Sequence, residues 1–220
     1  MLRALRRLVR IGRGEPIVVV SGLPRSGTSM MMRMLEAGGL EILSDGQRAA
    51  DVDNPKGYFE LERIKNLEKE TDKSYLRAAR GKAVKVISFL IKDLPDENDY
   101  RVLFMRRDLD EVLASQQKMI DRLESADADA DAAAMKEAFR NDIARVRVLC
   151  RTRPNFALQE IHYKDAIADP AGASRAVNAF LGGGLDEAAM RAAVDAALYR
   201  NRSRGGKEAD SQSRPTRSEP

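Results

Sequence analysis

The feature that most restricts the fold is a three-part succession within residues 16–38. Pro16-Ile-Val-Val-Val-Ser21 is a short apolar, β-branched run bounded by Pro and Gly, the composition of a buried strand. Gly22 to Thr28 reads as a turn, and Ser29 to Gly38 as a methionine-rich helix closed by Gly38-Gly39. In such a loop successive backbone N–H groups turn inward, and the helix N-terminus adds the positive end of its dipole. A strand, loop and helix in this order therefore form a cradle for phosphate. Thr28 and Ser29 add hydroxyl donors, and Arg25 adds a planar guanidinium suited to phosphate oxygens. The methionines at 30, 31, 32 and 34 read as core filler.

The rest of the chain repeats the alternation. A charged helix is expected from about Tyr58 to Ala79, and strands at Val84-Lys85-Val86-Ile87, Arg101 to Met105 and Phe156 to Tyr163. Asp108 is placed to cap a helix running to about Leu123. The acidic, low-complexity stretch 124–131 reads as a solvated loop before a helix ending near Cys150. Two further helices are expected, about Pro170 to Phe180 and Asp186 to Leu198. Strands alternating with helices imply an α/β domain, a parallel sheet covered by helices on both faces.

At 220 residues the chain suits one domain, taken as residues 15–202 between a basic arm, 1–14, and a disordered tail, 203–220. The net charge of +4 comes from these ends. Five arginines and no acid lie in residues 1–14, residues 200–220 add a further +3, and residues 15–199 stand at −4. The pI of about 9.2 is thus no argument for nucleic acid. The arm reads first as a short helix or frayed segment; the alternative is weak contact with an anionic membrane surface through residues 1–13. One cysteine, Cys150, excludes an intrachain disulfide and suits a reducing, cytoplasmic setting; it reads as a buried, inert thiol. The lone His162 builds no metal site by itself and reads as structural, and no apolar run approaches a membrane span.

Gly22 and Gly27 have the spacing of a Walker A loop, G-x-x-x-x-G-K-[ST], but Thr28 stands where lysine belongs. The strand ending at Met105 runs into Arg106 and Arg107, a cationic site where a magnesium-binding acid would be needed. Both departures argue against an ordinary ATPase or kinase. Pro24-Arg25-Ser26-Gly27-Thr28-Ser29 resembles the 5′-phosphosulfate loop of sulfotransferases that use 3′-phosphoadenosine-5′-phosphosulfate (PAPS). Their second motif, an arginine at a strand end and a serine eight residues on, resembles Arg107-Asp-Leu-Asp-Glu-Val-Leu-Ala-Ser115. Further similarity runs through Asn54-Pro-Lys-Gly-Tyr-Phe-Glu60, Tyr163 to Pro170 and Leu198 to Arg202, although Lys164 replaces the usual glutamate.

The resemblance implies a P-loop-type fold and PAPS as co-substrate. Arg25, Ser26, Gly27, Thr28 and Ser29 would hold the 5′ end, and Arg107 and Ser115 the 3′-phosphate. Sulfuryl transfer to a hydroxyl or amine needs a base, cations at the transferring group and in-line oxygens, and the expectation is that it runs without a metal. Glu60 is the candidate base, with simple helix capping as its alternative and Asp51 and Asp53 as rivals. Lys85, a cation inside a buried-looking strand, resembles the lysine that sulfotransferases carry near the bridging oxygen; Lys56 is a weaker second cation. Two other functions remain in view: a small-molecule kinase with an altered loop, and a non-catalytic nucleotide-binding protein of the same fold.

Overall fold

The first strand, β1 (Ile17–Gly22), is buried at all six positions, as a β-branched run must be when both faces of its sheet are covered. The structure is a computed structural model and describes residues 13–46, 59–122 and 132–195. β1 pairs in parallel with β2 (Ala83–Lys85) on one side and β3 (Tyr100–Arg106) on the other, and β3 pairs in parallel with β4 (Phe156–His162). The order is β2-β1-β3-β4. Leaving β1, the chain goes first to one neighbour and then crosses to the other. The loops after β1 and β3 therefore diverge, which opens a crevice at the carboxyl ends of the two inner strands. Gly22 lies opposite Met105 in this register, so that crevice begins at the glycine loop.

Alternating residues of each strand supply two cores. Val18, Val20, Leu103 and Met105 pack on α1 (Thr28–Ala37), where Met30, Met31, Met32, Met34 and Leu35 are buried as expected for filler. Helices α5 (Tyr163–Ala168), α6 (Pro170–Leu181) and α7 (Glu187–Ala192) complete this face through Tyr163, Ala166, Val177 and Met190. On the opposite face Ile17, Val19, Val102 and Phe104 meet Ile143, Val146 and Cys150 of α4 (Ala132–Thr152). Burial pushes the Cys150 thiol up to about 11, which fits an inert core residue. His162 is exposed at the end of β4. Among the described residues no helix is long and apolar enough to cross a membrane.

Three elements differ from expectation. The long charged helix to Ala79 is replaced by the one-turn α2 (Glu62–Lys65) and a 3₁₀ turn, Ser74–Ala79. Between Leu67 and Tyr75 there is no apolar residue to hold a helix on the core, and Arg63 bridges the gap through Glu70 and the Tyr75 ring. The second strand ends at Lys85, and Ser88–Asp93 turns into a 3₁₀ segment that buries Leu90 and Ile91. The last helix stops at Ala192, short of Leu198. The helix capped by Asp108, α3 (Leu109–Arg122), forms as expected, with the Asp108 carboxylate accepting from the Asp110 and Glu111 N–H groups at 2.9 and 3.2 Å. The acidic stretch 124–131, the arm 1–12 and the tail from 203 lie outside the described residues.

Candidate active site

The glycine loop has the backbone its sequence demands. Gly22 has φ 150°, and a Cβ there would meet the Ser26 hydroxyl and lie 2.7 Å from the Met105 carbonyl. Gly27, the N-cap of α1, has φ 102°, and a Cβ would drive into the Tyr163 ring. No side chain caps α1, so its start opens directly onto the loop, with the Met30 and Met31 N–H groups both donating to the Gly27 carbonyl at 3.0 and 3.2 Å. The Ser26 hydroxyl is buried and has no hydrogen-bond partner. A helix start without a side-chain cap, an orphaned hydroxyl and two positions closed to side chains fit a phosphate-bearing nucleotide at this loop.

Arg25 connects the two halves of the expected nucleotide site. It is in the left-handed region, φ 66°, uncommon for a residue with a side chain. Its Nε donates to Ser115 Oγ at 3.0 Å, and its carbonyl accepts from Arg107 Nη1 at 3.1 Å. Arg107 also donates from Nε to Glu111 Oε2 at 2.9 Å, and its guanidinium carbon lies 5.0 Å from the Tyr163 ring centre. The side chains of Arg107 and Glu111 are 9% and 4% exposed, so this ion pair is built into the domain. Arg25 thus meets Arg107 and Ser115, 82 and 90 residues further along the chain, where β1 and β3 diverge. Ser26, Gly27, Thr28 and Ser29 occupy the loop and the first turn of α1 beside them.

The candidate catalytic pair lies at the other flank of the loop. Lys85, the last residue of β2, stands with its Nζ 3.4 Å from Ser29 Oγ and 3.4 Å from Glu60 Oε1. Lys65 Nζ approaches the other Glu60 oxygen, Oε2, at 3.2 Å. Glu60 and Lys85 are 17% and 16% exposed, so both are partly withdrawn from water. Glu60 is not the cap of α2: that N-cap is Leu61, and the Glu62 N–H is satisfied by Asp45 Oδ2 at 2.5 Å. The rivals Asp51 and Asp53, and Lys56, lie outside the described residues.

Three participants were not singled out from the sequence. Glu111 was legible in principle, as an acid four residues after Arg107. Lys65 had only its place near Glu60, and its pKa is raised first by the hydrogen bond to Glu62 and then by Glu60. Tyr163 gave no local signal. It is brought against Gly27 by the packing of β4 on β3, and burial raises its pKa.

Fold and site together define a P-loop-type α/β domain whose loop and inner-strand arginine face one crevice. The family model described as the sulfotransferase domain matches residues 15–215, and the chain belongs to that family. Its reaction class is sulfuryl transfer. A search of the curated proteins gives no match. Similar solved structures include the sulfotransferase domain of the Synechococcus PCC 7002 olefin synthase, at 18% identity and TM-score 0.49 over 80% of this chain and 76% of that one. The sulfotransferase domain from the curacin biosynthetic pathway is similar at 15% identity and TM-score 0.45, over 79% and 76%. Retinol dehydratase, in a complex with retinol and PAP, is similar at 19% identity and TM-score 0.45, over 84% and 65%. The family assignment rests on the domain match.

Proposed function

We propose that this chain moves a sulfuryl group from PAPS to a hydroxyl or amine of an acceptor, with Glu60 as general base and Lys85 as the cation at the transferring group. The observation that supports it most is the Lys85 ammonium standing between Ser29 of the loop and Glu60, at 3.4 Å from each. PAPS supplies the sulfuryl group and a phosphate leaving group. The Gly27 to Ser29 backbone and the dipole of α1 hold its 5′ end, and Arg107 and Ser115 recognise the 3′-phosphate, with Arg25 joining the two. Glu60 takes the acceptor's proton, and Lys85, held beside it, stabilises negative charge as the acceptor oxygen or nitrogen attacks.

In this reading residues 15–202 are the catalytic unit, with the arm 1–14 and the tail 203–220 outside it. The single, buried cysteine supports a cytoplasmic setting. The test compares 3′-phosphoadenosine-5′-phosphate (PAP) with AMP by calorimetry, then follows radiolabelled sulfate from PAPS into a cell extract. PAP is expected to bind about ten- to a hundredfold more tightly than AMP, since a charge-assisted contact carries that difference. EDTA is expected to change neither binding nor transfer. Equal affinity for the two nucleotides, or rescue by magnesium after EDTA, would overturn the reading in favour of a kinase-like site.

A further inference from the structure

We infer that Glu111 is a positioning residue of the nucleotide site, setting the Arg107 guanidinium so that one side chain braces the glycine loop and meets the 3′-phosphate. The inference rests on the proposed reading of Arg107 and deepens it. An acid beside the arginine that must meet a polyanion is unexpected on charge alone, since the carboxylate repels the ligand. Its geometry supplies the reason. Glu111 is 4% exposed in the first turn of α3 and accepts from Arg107 Nε at 2.9 Å, while its own N–H is held by the Asp108 cap.

With Nε held there, the rigid fork presents Nη1 to the Arg25 carbonyl at 3.1 Å and brings the guanidinium over Tyr163, whose ring blocks a side chain at Gly27. The contact from Nη1 is the one that meets Arg25 in its left-handed conformation, the residue whose own Nε reaches Ser115. One carboxylate thus fixes an arginine that touches the loop backbone and, through Arg25, the serine on α3. A buried guanidinium released from its acid would also be costly and would seek other acceptors.

Position and charge are separated by substitution. Glu111→Gln keeps an oxygen at Nε and removes the charge, Glu111→Asp keeps the charge and withdraws the oxygen by one methylene, and Glu111→Ala removes both. Calorimetry with PAP and AMP, on variants checked by thermal melting, gives the readout. Glu111→Gln is expected to hold PAP affinity within about threefold of the parent or to tighten it, because repulsion is removed while the hydrogen bond stays. Glu111→Asp and Glu111→Ala are expected to weaken PAP about tenfold and AMP by a smaller factor, as a misplaced charge-assisted contact should. Where the alanine variant does not fold, the Asp and Gln pair decides. Unchanged PAP affinity in Glu111→Asp, or tightening in Glu111→Ala equal to that in Glu111→Gln, would overturn the inference and leave Glu111 a mere charge. A parent chain that does not prefer PAP over AMP would remove the reading of Arg107 itself, and the inference with it.

Discussion

The two halves of the proposed site are built from different materials. The nucleotide half grows from the inner strands β1 and β3 and rests mainly on backbone, a glycine loop and a helix start without a side-chain cap, with one buried arginine side chain set against it. The acceptor half grows from the edge strand β2 and consists of side chains, Lys85 and Glu60, partly exposed and in contact with each other, with Ser29 and with Lys65. Backbone geometry fixed between two covered faces changes little when one side chain is cut. A pair of side chains at a sheet edge has no such redundancy. The division suggests that binding and turnover can be removed separately.

The largest effect should come from the acceptor half. Glu60→Gln is expected to lower turnover by about 10² to 10⁴ while PAP affinity stays at the parent value, because a base acts on the acceptor's proton. Sulfate-transfer rates beside calorimetry check this, and a matching fall in PAP affinity would break the division. Lys85→Ala should follow, with a loss in kcat of about 10² to 10³, the range for removing one group that faces developing charge.

The next effects belong to the nucleotide half. Gly27→Ala combines a left-handed backbone with a collision against Tyr163, a strain on the order of 1–3 kcal/mol for the backbone alone, or about five- to over a hundredfold in affinity. It should weaken PAP and AMP alike and lower the melting temperature. Arg107→Ala should abolish the preference for PAP, about ten- to a hundredfold, and should also weaken AMP by a smaller factor, since the Arg25 carbonyl loses its donor. Undiminished AMP binding in this variant would show that the two ends of the nucleotide are recognised independently. The smallest effect is expected from Ser115→Ala, about two- to tenfold on PAP, the range of one ordinary hydrogen bond.

How much of this was legible in the sequence follows the same division. The β-branched run, the glycine spacing and the Arg107 to Ser115 interval are local patterns, and the sheet, its two covers and the loop follow from them. The stretch from Tyr58 to Ala79 misled because its charged residues suit a helix, whereas helix formation there needed an apolar stripe that Glu68 to Ser74 do not supply. The short β2 misled for the opposite reason: Val86 and Ile87 look strand-like, yet the chain turns at Ser88 into a 3₁₀ segment that buries Leu90 and Ile91.

By itself the sequence determined that this chain forms a parallel α/β sheet with a glycine loop between its first strand and first helix. Those properties depend on residue types a few positions apart, through hydrophobic periodicity and the backbone freedom of glycine. Only the tertiary structure decided that Arg25 reaches Ser115, that Arg107 is held by Glu111 against the loop, and that Lys85 bridges Ser29 and Glu60. Most of these contacts join residues tens of positions apart. They exist because strand order places the ends of β1, β2 and β3 side by side, and that order is set by how the two cores close.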